Sequence, residues 1–155
     1  MIRRMDSAHS AREIENLLYA YAERIDRGDL DGVADLFARG RIHGVENGPP
    51  ETVFEGRERV RAMYEMSTRL YEDGTPRTKH VTTNAQVQVD GDTGSARSYY
   101  TVFQATPDLP LQPIITGHYH DTFHRVDGAW AFDTRVMFVD QLGDLSHHLK
   151  YDLTG

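Results

Sequence analysis

The chain has 155 residues, a formal charge of −7 from 17 Lys and Arg against 24 Asp and Glu, and no cysteine. Its length suits about one domain, able to bury roughly two thirds of its unfolded surface. The missing thiols exclude a disulfide framework, a thiolate nucleophile and cysteine metal sites and fit a reducing compartment, and the acidic balance excludes a broad phosphate-binding surface.

In chain order, the first periodic segment is Ser10 to Ile25, where Ile14, Leu17, Leu18, Tyr21, Ala22 and Ile25 form one apolar helical stripe. Ser10-Ala11-Arg12-Glu13 has the spelling of a capping box, and Asp6 or Ser7 offers an earlier start. Arg27-Gly28-Asp29 stops the helix, and a second, short one is expected from Leu30 to Phe37. Arg41 to Glu46 reads as a strand, Asn47-Gly48-Pro49-Pro50 as a turn, and Thr52-Val53-Phe54 as its hairpin return. A third helix is expected from Gly56 to about Tyr71, broken by Asp73-Gly74-Thr75-Pro76. Arg57, Arg59 and Arg61 are offset by Glu55, Glu58 and Glu65 and read as a solvated helix face.

The second half is strand after strand: Thr78 to Val89, Gly94 to Gln104, Ile114 to Val126 and Ala129 to Val139, with compact turns at Asp90-Gly91-Asp92 and Asp127-Gly128. Helices first and antiparallel strands after predict an α+β fold in one domain, residues 1–155, with helices covering one face of a curved sheet. The prolines of Ala105 to Pro113 predict an irregular rim, and Leu142, Leu145, Leu149 and Leu153 a closing helix over the open end of the sheet or a contact with a neighbouring subunit.

Residues two apart share a strand face. In the strand Ile114 to Val126, Gly117, Tyr119, Asp121 and Phe123 form the inward set, and His118, His120, Thr122 and His124 the outward one. The three histidines suggest a metal only weakly, because no carboxylate completes the set; a wet surface or a subunit interface shared with Tyr99 and Val102 fits better. His147 and His148 diverge on a helix and read as structural. Burying Asp121 requires a partner, and Arg135 on the next strand is the candidate, as a structural ion pair before a catalytic one. Trp130 and Phe132 read as sheet core, and Met63, Met66 and Met137 as core or an adaptable pocket wall.

The candidate chemistry lies in Asp26, at the end of the first helix, and His80, opening a strand as Arg77-Thr78-Lys79-His80. A carboxylate that fixes an imidazole tautomer gives a base suited to moving protons at neutral pH. The bland alternatives are Asp26 capping the following turn and His80 as a satisfied core histidine.

Ile25-Asp26-Arg27-Gly28-Asp29-Leu30-Asp31, Phe54-Glu55-Gly56-Arg57, Thr78-Lys79-His80 before Asn84, and Gly117 to Phe123 followed by Asp127-Gly128-Ala129-Trp130-Ala131-Phe132 together resemble the SnoaL-like group of the nuclear-transport-factor-2-like (NTF2-like) superfamily, from about Ala11 to Asp140. The resemblance implies a cone of helices around a strongly curved, mostly antiparallel sheet enclosing a pocket. Dehydratase and dehydrochlorinase members are similar at two positions, with a catalytic aspartate where Asp26 stands and a catalytic histidine where His80 stands. The tyrosines with which the dehydratase polarises a carbonyl match Ile25 and Gly44 here, so Tyr119, Tyr21, Tyr64, Tyr100 and Arg135 become the candidates for contacting substrate.

The resemblance implies a cofactor-independent lyase or isomerase acting on a hydrophobic, cyclic, polyketide-like or steroid-like molecule. A non-catalytic ligand-binding module, a polyketide cyclase and the small subunit of a ring-hydroxylating dioxygenase are the alternatives on this fold. No glycine-rich phosphate loop, nucleophile elbow or cofactor fingerprint is present, so no nucleotide, flavin or metal is expected. No apolar run approaches the roughly 20 residues of a membrane span, and MIRRMDSAHS lacks the apolar centre of a signal peptide. The expectation is a cytoplasmic homodimer or homotrimer without nucleic-acid or membrane partners.

Overall fold

A computed structural model describes residues 2–153, with side chains from residue 6 onward. Helices α1 (Ile2–Asp26) and α2 (Leu30–Asp35) are followed by strand β1 (Arg41–His43), a 3-10 turn, β2 (Val53–Glu55) and α3 (Gly56–Ser67). Four long strands complete the chain: β3 (Thr78–Asp90), β4 (Thr93–Thr106), β5 (Leu109–Val126) and β6 (Ala129–Leu142). They form one curved, unclosed six-stranded sheet in the order β2-β1-β6-β5-β4-β3, antiparallel throughout except where β1 runs parallel to β6. Register shifts at Thr83/Gln86 in β3 and at Thr116/Gly117 and Thr122/Phe123 in β5 interrupt the ladders and bend the strands around the helices.

The stripe on α1 is the reason the helices sit inside the curve. Ile14, Leu18, Tyr21 and Ile25 are buried with Phe37, Val60, Phe123, Trp130 and Phe132 in one continuous core, and Ala22 is buried as well. At roughly 2 kcal/mol per fully buried large apolar side chain, this stripe alone contributes enough to fix α1 on the sheet. Both predicted tight turns form: Gly91 (φ +60°) and the pair Asp127 and Gly128 (φ +52° and +83°) take the left-handed backbone that two-residue hairpins require.

Four expectations about elements change. Helix α1 starts at Ile2, because Ser10 is no cap: it is buried inside the helix, and its hydroxyl accepts a hydrogen bond from Arg125 Nη2 at 3.0 Å. Helix α3 stops at Ser67, since Thr68 turns extended and bridges Leu149 in the tail. Residues 105–113 are the tip of the β4–β5 hairpin, with Phe103 paired to Pro113 and Gln104 to Gln112, and no irregular rim forms. The tail after Leu142 is a non-helical strap of turns held by main-chain bonds.

The alternation in β5 falls as read, with Gly117, Tyr119, Asp121 and Phe123 buried. Tyr99 is exposed, but Val102 has the opposite parity and is buried, so it belongs to the inner face.

Candidate active site

Asp26 ends α1 because the chain turns sharply after it. Gly28 takes φ +73°, its amide returning to the Ile25 carbonyl and that of Asp29 to the Arg24 carbonyl. A carboxylate at a helix C-terminus faces the negative end of the dipole and requires donors. Strand β3 supplies three: the Thr78 hydroxyl (2.8 Å) and His80 Nδ1 (2.6 Å) to Oδ1, and the His80 amide (2.8 Å) to Oδ2. Thr78 and His80 share a face of β3, so one register places both. Capping of the next turn falls instead to Asp29, whose carboxylate accepts from the Gly32 amide at 2.8 Å.

With both oxygens committed and the Asp26 and His80 side chains only 12% and 9% exposed, the pair has little freedom. A carboxylate accepting from Nδ1 fixes that nitrogen as the protonated one and leaves Nε2 as the basic nitrogen. His80 lines a cavity of about 260 Å³ whose walls are mostly apolar, from Ile25, Ile42, Phe54, Met63, Val102 and Met137. A larger, shallower cleft of about 610 Å³ lies between α3 and the tail, lined by charged Arg61, Glu65, Arg69 and Lys150. The smaller cavity is the candidate site, because it holds the dyad and has the apolar walls of a small-molecule pocket.

The predicted substrate-contacting residues divide into two layers. Tyr21, Tyr64 and Tyr100 line the cavity. The Tyr21 and Tyr64 hydroxyls hydrogen-bond each other, and Tyr100 donates to the Phe138 carbonyl at 2.7 Å. Burial raises all three phenols above their ordinary range, so they are hydrogen-bond donors at neutral pH. Tyr119 and Arg135 lie outside the lining. Arg135 is fully buried, forked onto both oxygens of Asp121 at 2.8 and 3.0 Å, with its guanidinium carbon 3.7 Å from the Tyr119 ring centre and 4.3 Å from that of Tyr21. It therefore supports the floor beneath the tyrosines. Burial pushes the Asp121 carboxyl up, against the opposing pull of Arg135.

Met63 and Met137 are in the wall, whereas Met66 is 76% exposed and plays no part in it. On the outer face His118 stacks on Phe138 and bonds Asp140 at 2.9 Å, and His124 stands 3.9 Å from Asp133, so carboxylates do meet these histidines. Among the described residues no group of three or more His, Asp or Glu is arranged to hold a metal.

Sequence reasoning expected the tail leucines to close over the open end of the sheet but missed that His148 and Tyr151 join them in the wall of the cavity. Leu145, His148, Leu149, Tyr151 and Leu153 all line it, and the His148 ring centre lies 6.4 Å from that of His80. The available signal was the spacing of Leu145, His148 and Leu149 in steps of three and one, which puts an imidazole among inward leucines.

The SnoaL-like domain family matches residues 6–136. Among solved structures, Rv3472 of Mycobacterium tuberculosis, a protein of unknown function determined as an Asp-to-Asn variant, is 27% identical with a TM-score of 0.66 over 84% of this chain and 71% of that one. A proposed scytalone dehydratase of Novosphingobium aromaticivorans is 22% identical, TM-score 0.70, covering 88% of each chain. The beta subunit of a proposed aromatic-ring-hydroxylating dioxygenase from the same organism is 22% identical, TM-score 0.68, over 87% of this chain and 92% of that one. These likenesses carry the fold, which is NTF2-like. No curated protein matches the chain. With the family match spanning α1 to β6 and the helix-lined curved sheet around an apolar cavity, the chain belongs to the SnoaL-like domain family.

Proposed function

We propose that this protein is a cofactor-independent lyase or isomerase in which Asp26 and His80 move a proton on a compact, mostly apolar substrate. The observation that carries this reading is the 2.6 Å bond between Asp26 Oδ1 and His80 Nδ1 on the wall of the 260 Å³ cavity. His80 Nε2 takes a proton from a carbon next to an electron-withdrawing group, and Asp26 stabilises the imidazolium that results. The same nitrogen returns the proton to carbon, for isomerisation, or to a departing hydroxyl, for dehydration. The apolar walls exclude water, and Tyr21 and Tyr64 offer a neutral polar spot for substrate oxygen.

The test is hydrogen–deuterium exchange at the α-carbons of 2-tetralone, a compact bicyclic ketone, followed by proton NMR in D2O. The wild-type protein is expected to accelerate exchange, and His80→Asn to lose about 10²–10⁴-fold of that rate. Exchange no faster with protein than with buffer would refute the reading.

A second reading, self-association through the outer sheet face, is favoured by Tyr99, 55% exposed, beside His118 stacked on Phe138. Light scattering after gel filtration, on wild type and Tyr99→Lys, tests it: a monomeric wild type ends this reading.

A further inference from the structure

The cavity holds a second imidazole that the dyad does not use. His148 is 8% exposed and lines the cavity from the tail, and among the described residues its Nδ1 has no hydrogen-bond partner. Several other ring-borne polar groups of the lining are engaged: Tyr21 with Tyr64, Tyr100 with the Phe138 carbonyl, and His80 Nδ1 with Asp26. A buried polar nitrogen without a partner is costly and uncommon in a settled core. The backbone on either side of His148 is clamped, its carbonyl accepting from the Arg69 amide at 2.8 Å and the Lys150 amide donating to the Ser67 carbonyl at 2.9 Å. The ring is thus held in place by bonds that leave the imidazole itself uncommitted.

We propose that His148 is a substrate-contacting residue, hydrogen-bonding an oxygen of the substrate that lies beside the carbon whose proton His80 removes. This rests on the reading of the cavity as a proton-transfer site. A ring-centre separation of 6.4 Å lets the two imidazoles address neighbouring positions of one small molecule, which points to substrates with a carbonyl oxygen close to an acidic C–H bond. As His80 Nε2 takes the proton, the C–H electron pair becomes the enolate double bond and the carbonyl π pair moves to oxygen, where the His148 N–H meets it. On return of a proton from His80 to carbon the ketone re-forms, so the cycle needs no other reactant. Burial, and then the nearby His80, push the His148 imidazole down to about 4, with Asp26 opposing. It works as a neutral donor, as an uncharged imidazole can in a site that stabilises an enolate.

The experiment uses the full chain labelled with 13C and 15N in histidine, with 2-tetralone as the probe. His148→Phe keeps a ring of similar bulk, and His148→Asn keeps a neutral N–H. In D2O, α-exchange should fall about 10²-fold in the Phe variant, as for removal of one donor to a developing oxyanion, and recover in part with Asn, with melting temperatures showing that both fold. An unchanged kcat/KM for exchange in the Phe variant overturns the proposal. If the wild type binds tetralone without exchanging it, the proton-transfer reading fails, and His148 is decided by binding. Shifted His148 ring resonances with at least tenfold weaker Kd in the Phe variant sustain the contact, and unmoved resonances overturn it. A protein that neither binds nor exchanges tetralone overturns both.

Discussion

Replacing Asp121 by Asn gives the sharpest test of what holds the floor of the cavity. The amide has nearly the volume of the carboxylate, so packing against Arg135, Tyr119 and Tyr21 is preserved and only the charge is removed. Arg135 is fully buried, is forked onto the two Asp121 oxygens, and among the described residues has no partner for Nη1. A guanidinium does not shed its proton in proteins, and burying an uncompensated cation costs about 3–5 kcal/mol. Stacking on Tyr119 and Tyr21 offsets part of this but does not replace the carboxylate. Against a total stability of about 5–15 kcal/mol, and with a urea m-value of about 2 kcal/mol/M, the unfolding midpoint should fall by about 2 M. A fall of less than about 0.5 M at constant m would refute the reasoning, by showing that the cation finds water or another acceptor. The double variant Asp121→Leu with Arg135→Met removes both charges and should come back to within about 1–2 kcal/mol of wild type, since apolar replacement of a buried pair is often near neutral.

Acid titration should expose His148: its unfolded-state value near 6.5 drops to about 4 in the fold, so stability is fully present above 6.5 and is lost as pH falls toward 4. The 2.5-unit difference is worth about 3 kcal/mol, and denaturant midpoints measured from pH 7 to pH 4 should flatten in His148→Phe. Asp26→Asn should lower tetralone exchange by about 10²-fold or more and stability by about 1–3 kcal/mol, because the same carboxylate serves Thr78 and the His80 amide; a calorimetric melt and the exchange assay separate the two effects. Gly117→Ala places a methyl group against the Phe138 carbonyl and the Tyr100 hydroxyl. That overpacking costs about 1–3 kcal/mol and should lower the melting temperature by about 2–10 °C, while Gly128→Ala, with open space around it, should pay only for its positive φ.

How much was legible follows from the range of the forces involved. Alternation in β5 and the stripe on α1 are local patterns, and burial follows them residue by residue. The contact between Asp26 and His80 spans 54 positions and came from the resemblance; no periodicity could have found it. Ser10 misled because a capping residue and a buried helical serine are spelled alike, and the Arg125 partner that decides between them is 115 residues away. The prolines near the β4–β5 tip misled because Pro110 and Pro113 stand at exposed positions of the hairpin. His148 was hard to place because its only local signal is the short Leu145, His148, Leu149 spacing, in a tail without regular helix or strand. Its place is set by hydrogen bonds to residues 67–71 and Gln104.

Those bonds have a further consequence. On the tail's side the bonds just named are made mainly by main-chain atoms, the carbonyls of His147, His148 and Leu149 and the amide of Lys150, joined by the Lys150 ammonium. Leu149, Tyr151 and Leu153 can therefore be exchanged for other side chains while these main-chain bonds remain. In a laboratory evolution experiment the shape of the pocket would be most readily redrawn from these positions, because the scaffold that carries Asp26 and His80 is anchored elsewhere. Under the proposed function, ligand preference would be tuned from a segment fastened mainly through its backbone.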